Sequence, residues 1–377
     1  ARGITTVLAD YYEDPVAKPY ADIFYRESTL DIPAITRVAK TEKVDFLITV
    51  CADQVLQVVA QIAEELGLPW YIDYATAENV SKKSYMKKIF WENGVPTTQY
   101  VILDAFDAEK ISHLRYPIIV KPVDAYSSRG VCKVQNLDEL RTALETAIAI
   151  SRTKTAIVEE FAEGDEISVD VYVEEGKAHV LCLTNIYKIG EDGKFIINRS
   201  RIPADVSPEI AEKIRDTAQK IADAFGLKNT PMLVQLISDG EKISVIEFCA
   251  RTGGGIKFKM IKRVSGFDVV KAVVDLTVGQ KPHVGEIRKS DKLIVNEFVY
   301  TSPGELKSLE GFEELLHEGI ITAYSAFKRI VKRCASRANL KGVWKDSEGR
   351  SCVCDGYLAV RLKKSVDGFE DVPGVDL

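Results

Sequence analysis

Two apolar runs, Met232 to Ser238 and Ile243 to Phe248, meet across Asp239-Gly240, and that junction constrains the fold more than any other stretch of the chain. Runs of this length read as strands, and Asp-Gly supplies the positive φ that a tight hairpin turn needs. Strands paired this way place Gln235 on one run opposite Glu247 on the other, and Cys249, two residues further, shares the face of Glu247. Arg251, Thr252 and three glycines, Gly253 to Gly255, follow at once. Oxygen ligands of this kind suit Mg2+ shared with phosphates, while Arg251 and the glycines offer a cation and close backbone approach to an anion. A paired Glu-Arg on an ordinary sheet with a flexible turn is the alternative.

A second constellation lies upstream. Tyr116 to Pro122 reads as a strand delivering Lys121 to its end, and a small-residue turn containing Ser127 and Ser128 follows before Gly130. Backbone N–H groups in such a turn can converge on an anion, with Lys121 adding a point charge to the same phosphate. A third segment, Val158 to Glu166, ends one strand and starts another with a carboxylate. Its backbone can read the edge of a base, and Glu166 can accept from ribose hydroxyls. Taken singly, the two segments read equally as a hairpin with a solvated lysine and as an acidic loop.

The order of elements is α/β, or α+β once the antiparallel strands are counted. Thr5 to Ala9 and Val44 to Val50 read as strands of a parallel βαβα unit, with helical patterns at Ile32 to Lys40 and Val55 to Leu66. The first strand of such a sheet, with its Gly-rich turn, is expected to be missing before Ala1-Arg2-Gly3. Val80 to Asn93 reads as one amphipathic helix, ending at Gly94 and Pro96, with Lys82, Lys83, Lys87 and Lys88 on its basic side. Further strands are expected at 130–134, 156–160, 166–174, 178–185, 194–198 and 293–300, and helices at 137–149, 208–225 and 311–317.

Charge and composition narrow the chemistry. Fifty basic and 56 acidic residues are interspersed, so there is no basic face with which to hold nucleic acid, and small-molecule chemistry is the better expectation. No apolar run approaches the ~20 residues of a membrane span. An odd number of cysteines in apolar surroundings is the pattern of reduced thiols, which predicts a cytoplasmic protein. No Ser-His-Asp or Cys-His set is recognisable.

Together these segments resemble the ATP-grasp superfamily, over about 81–284, and more particularly the carboxylate-amine ligases related to the carbamoyl-phosphate synthetase large subunit. The likeness is carried by Lys83, eleven residues before Gly94; by Lys121 after a Tyr-Pro strand; by Glu159, Glu160, Phe161 and Ala162 as a hinge; by Glu166; and by Glu247, Cys249 and Arg251. It implies an ATP-grasp fold with an N-terminal Rossmann-like domain at 1–80, an ATP-grasp domain at 81–285 with a lid at about 116–160, and a C-terminal subdomain at 286–377. It implies ATP and Mg2+ (or Mn2+) as cofactors: Lys83, Lys121, Ser127 and Ser128 hold the phosphates, Glu159 takes the adenine amino group, Glu160 to Ala162 supply backbone contacts, and Glu166 binds the ribose. Gln235 and Glu247 hold metal, with Cys249 at a position where the family has Asn and a thiol is a poor ligand for Mg2+. Arg251 stabilises the transferred phosphoryl group. The implied reaction forms an acyl phosphate from a small carboxylate and passes it to an amine, releasing ADP and phosphate. A catalytically impaired nucleotide-binding regulator and a bicarbonate-using carboxylase stay open, as does a homodimer. Arg199, Arg201, Lys257 and Lys259 are candidate carboxylate binders, and the basic run at 328–337 reads as a solvated face.

Overall fold

The computed structural model describes residues 3–125, 130–189, 196–255, 257–288, 293–300, 311–326, 344–345, 351–352 and 355–360. The basic run at 328–337, Ser127 and Ser128 lie outside them. Strands β1 (Val7–Ala9) and β2 (Ile23–Tyr25) pair in parallel, and helices α1 (Ile32–Thr41) and α2 (Asp53–Leu66) pack on them through Ile35, Val58 and Ile62. The strand expected at 44–50 does not form. Leu47 packs onto this small core, but Phe46 and Ile48 are exposed, and no neighbouring strand among the described residues satisfies the backbone of this run.

The single helix expected over 80–93 is two. Helix α3 (Tyr74–Ser81) starts on Asp73, whose carboxylate accepts from Thr76 N–H, and Lys82 is extended (φ −93°, ψ 103°) between it and α4 (Lys83–Glu92). The break makes Lys83 the first residue of a helix.

Two antiparallel sheets enclose the site. The smaller has the order β3–β6–β4–β5, from β3 (Tyr100–Leu103), β4 (Ile118–Pro122), β5 (Cys132–Val134) and β6 (Ala156–Glu160). Between its strands lie α5 (Ala108–Ile111) and α6 (Leu137–Ile150), and α6 buries Leu140, Ala143, Leu144 and Ala147 at helical spacing against it. The larger sheet starts with β7 (Asp165–Glu174), β8 (Lys177–Ile189) and β9 (Ile196–Ile202). Helix α7 (Pro208–Ala224) interrupts before β10 (Thr230–Ser238) and β11 (Ile243–Cys249), the expected hairpin. Helices α8 (Lys257–Ser265) and α9 (Val269–Thr277) precede β12 (Ile294–Tyr300), α10 (Phe312–His317), β13 (Ile321–Ala326) and the pieces β14 (Trp344–Lys345), β15 (Ser351–Cys352) and β16 (Asp355–Val360). The strand order is β11–β10–β7–β8–β9–β12–β16–β13.

One face of this sheet is core. Ile167, Val169, Val171 and Val173 alternate inward along β7 onto Ile210, Ile214, Ala218 and Ile221 of α7. Helix α7 is well placed for this: Ser207 accepts from Ile210 N–H at 3.2 Å, Pro208 opens the first turn, and such a cap contributes about 1 kcal/mol. The opposite face is polar, and register sets out its rows. Glu247, Gln235, Ser168 and Thr184 stand side by side across four strands, and Glu166 and Ser200 flank Ile186 in the adjoining row.

Candidate active site

Between the small sheet and this polar face lies a cleft of about 850 Å3, its open mouth included. Ile119, Val131 and Phe161 form one apolar wall, and Ile237, Val245 and Ile246 the other. The Lys133 ammonium sits 3.5 Å from the centre of the Phe161 ring, a cation–π contact that braces that wall.

The polar end of the cleft is built from lysines. Lys121, arriving at the end of β4, meets the carboxylate of Glu159 on the neighbouring β6. The other oxygen of Glu159 lies 2.7 Å from the ammonium of Lys87, one turn along α4 from Lys83 and 1% exposed. Lys87, expected on the basic side of a helix, is buried and donates to Thr97 at 2.6 Å, and Thr98 donates to Glu159 at 3.1 Å. Burial pushes the Glu159 pKa up, but Lys121 and Lys87 outweigh it and bring it down to about 2. Burial likewise lowers that of Lys87, with Glu159 opposing.

Lys83 reaches from the start of α4 to Glu247 at 2.9 Å and to the Ala125 carbonyl at 2.9 Å, so one ammonium ties the helix, β11 and the turn after β4 together. Glu247, desolvated yet opposed by Lys83 and Lys121, also titrates down at about 2. Glu166 pairs with Lys188 and lies 3.5 Å from Gln235 Nε2. Among the described residues, Lys83, Lys87, Lys121 and Lys188 thus meet Glu159, Glu247 and Glu166 around the cleft.

The hinge departs from its expected roles. The Glu159 carboxylate is held by two ammoniums and 5% exposed, so it does not project to an adenine amino group. Glu160 is clamped by Arg115 through both oxygens, and Phe161 N–H donates to the Pro117 carbonyl at 3.0 Å. Glu160 and Ala162 are both on the cleft lining.

The metal set is smaller than the sequence suggested. Gln235 and Glu247 are cross-strand partners and present oxygens to the cleft, which fits a Mg2+ ion. Cys249 does not fit: its thiol faces the Leu233 carbonyl at 3.8 Å, and burial raises its pKa well above the usual value, so it stays protonated. Arg251 lies beyond the cleft lining, its Nε donating to Asp53 Oδ1 at 2.6 Å and a second N–H to Asp53 Oδ2. The other carboxylate-binder candidates are engaged elsewhere. Arg199 and Arg201 project from the opposite face of the sheet and pair with Glu297 and Asp205. Lys257 is held by Asp170, Ser168 and Thr184, and Lys259 stands 6.0 Å from the Phe258 ring. Lys87, Lys188, Thr98 and Asp53 were not anticipated; the i, i+4 spacing of Lys87 from Lys83 was the available signal for the first.

A fold of two antiparallel sheets closing on a lysine-lined nucleotide-sized cleft is the ATP-grasp fold, and residues 114–259 match the family model of the ATP-grasp domain. The chain carries an ATP-grasp domain. Among solved structures it is similar to an L-amino acid ligase from Bacillus licheniformis, with a TM-score of 0.78 and 21% identity over 95% of this chain and 87% of that one. The multifunctional protein ura1 of Schizosaccharomyces pombe is 27% identical over 293 residues, 74% of this chain. A D-alanine–D-alanine ligase of Parabacteroides distasonis is 34% identical over 143 residues, 36% of this chain. The chain spans 12% of the length of the multifunctional protein ura1 and 43% of that of the D-alanine–D-alanine ligase. None of its described helices is long and apolar enough to cross a membrane.

Proposed function

We propose that the protein is an ATP-dependent, ADP-forming carboxylate-amine ligase, with a nucleotide-binding domain at 81–285, an N-terminal domain at 1–80 that completes the substrate site, and a C-terminal subdomain at 286–377. The observation that carries this reading is the cleft itself. Its apolar walls suit a purine, its backbone edge at Glu160 to Ala162 suits the adenine, and the lysines that line it suit phosphates. Lys83 and Lys121 hold the phosphates, helped by backbone N–H groups around Ser127 and Ser128, and Glu166 accepts from the ribose. Gln235 and Glu247 hold Mg2+, which when bound offsets phosphate charge.

In the first step an oxygen of the substrate carboxylate attacks the γ phosphorus, and the bond to the β–γ bridging oxygen breaks with its electron pair leaving on ADP. An amine nitrogen then attacks the acyl carbon, loses a proton, and phosphate departs. Positioning and electrostatics carry such a reaction, so no nucleophilic side chain is required. Arg251, four residues beyond Glu247, stabilises the transferred phosphoryl group and the acyl phosphate in this reading. The relatives named as D-alanine–D-alanine ligase and L-amino acid ligase support this reaction type, and the small molecules it joins are the expected partners, in a cytoplasmic setting.

The test is ADP release by the purified protein with Mg2+ and ATP against pools of carboxylates and amines. Release that requires both a carboxylate and an amine is expected. Tight ATP binding with no release from any pool would replace the ligase reading with that of a nucleotide-binding regulator, a reading that the non-ligating Cys249 favours.

A further inference from the structure

Two ammoniums share the Glu159 carboxylate, and they stand in different places. Register sets Ile119 opposite Glu159, and Lys121, two residues further along β4, shares that face, lines the cleft and meets Oε1. Lys87 comes from α4 on the other side, off the cleft lining, and meets Oε2 at 2.7 Å. Its ammonium is fixed there. Besides Glu159 it has the Thr97 hydroxyl at 2.6 Å, and the Thr98 hydroxyl and Val245 carbonyl at 3.5 Å. Lys121 has no such set: among the described residues its ion-pair partner is Glu159 alone.

Lys121 is therefore the ammonium that can turn into the cleft, and Lys87 decides what becomes of Glu159 when it does. A buried carboxylate that loses its sole cation is left uncompensated, which is strongly unfavourable. With Lys121 as sole partner, Glu159 would oppose every transfer of that lysine to a phosphate. With Lys87 on Oε2, and the Thr98 hydroxyl donating to the same oxygen at 3.1 Å, the carboxylate keeps a cation and a second donor after Lys121 leaves Oε1.

We infer that Lys87 is a positioning residue for the nucleotide: it holds the Glu159 charge, so that Lys121 passes from that carboxylate to a phosphate. The inference rests on the nucleotide reading of the cleft and deepens it with a residue that touches neither nucleotide nor metal. A lysine that merely ties α4 to Thr97 and to β11 would matter for folding, but its effect on binding would not depend on Lys121 or on Glu159.

Calorimetric titration of the full chain with a non-hydrolysable ATP analogue and Mg2+, with neither carboxylate nor amine present, tests the exchange. Lys87→Met and Lys121→Met are each expected to bind the analogue about 10-fold more weakly than the unaltered protein. Two double variants separate exchange from support. Lys87→Met/Lys121→Met is expected to lie within about twofold of Lys121→Met, because Lys87 acts through Lys121. Lys87→Met/Glu159→Gln is expected to return to within about threefold of the unaltered protein, because the carboxylate that retains Lys121 is gone. Urea unfolding reports whether each variant folds, and Lys87→Gln, which keeps a hydrogen-bonding group without the charge, replaces Lys87→Met if that variant does not.

Binding by the Lys87 variant within about twofold of the unaltered protein would overturn the inference and leave the nucleotide reading standing. So would additive weakening when the Lys87 and Lys121 changes are combined, or no recovery when Glu159→Gln is added. An unaltered protein that binds no analogue sinks the nucleotide reading, and the inference with it.

Discussion

Along one face of the large sheet, the end near Glu159 and the end near Arg251 are finished to different degrees. Around Glu159 the buried charges find partners within the protein: Lys87 and Lys121 share one carboxylate, and Lys83 takes Glu247. Around Arg251 the ion pairs are made, yet the Tyr71 and Thr252 hydroxyls and the Asp170 carboxylate oxygens have no hydrogen-bond partner among the described residues. The difference teaches that buried charge at the Glu159 end is matched within the protein, whereas at the Arg251 end the matching stops at the ion pairs.

The sharpest way to break that comparison is Glu159→Gln. It leaves two buried ammoniums without a countercharge, and equilibrium urea unfolding should show a loss of about 3–5 kcal/mol. If the loss is below about 1 kcal/mol, the triad is not the keystone of the nucleotide end. Glu247→Gln should follow, lowering ADP formation about 100-fold in steady-state assays, since it removes a metal-binding charge and frees Lys83. Full ADP formation by that variant would remove Glu247 from the proposed metal site.

Acid separates the two ends by sign. Glu159 has a folded pKa depressed to about 2, so its contribution, ~3 kcal/mol, is present in full above its unfolded value and disappears as pH falls towards 2. Burial raises the pKa of Asp170, with Lys257 opposing, so the folded state takes up that proton more readily and its stability contribution grows as pH falls. Acidification should therefore act with opposite sign at the two carboxylates, which urea unfolding of Glu159→Gln and Asp170→Asn at stepped pH would show. Cys249→Ala is the smallest effect: a protonated thiol outside the metal set predicts a Mg2+ dependence of ADP release unchanged within about twofold.

Much of the Glu159 end was legible because its residues are announced locally. A strand that ends in Lys121, a hinge at Glu159 to Ala162, and a hairpin that sets Gln235 against Glu247 each follow from short-range pattern. The helix break at Lys82 was not legible, because the amphipathic spacing of the apolar residues runs on across it. Nor was the strand missing at 44–50, since an apolar run forms a strand only where a neighbour supplies hydrogen bonds. Helices α8 and α9 also escaped, although Phe258, Ile261 and Val264 carry a helical spacing.

By itself the sequence determined the α/β class, the hairpin and the order of the lysines and carboxylates, because turn chemistry and alternation act between near neighbours. Only the tertiary structure decided which charges meet. Lys87 and Glu159 are 72 positions apart, and Arg251 and Asp53 are separated by 198. Burial then set how each charge behaves, turning a lysine expected on the basic side of a helix into a buried partner of Glu159 and a cysteine expected beside the metal into a protonated thiol. Those outcomes depend on desolvation and on partners brought from distant segments, and neither is written in any local stretch of the chain.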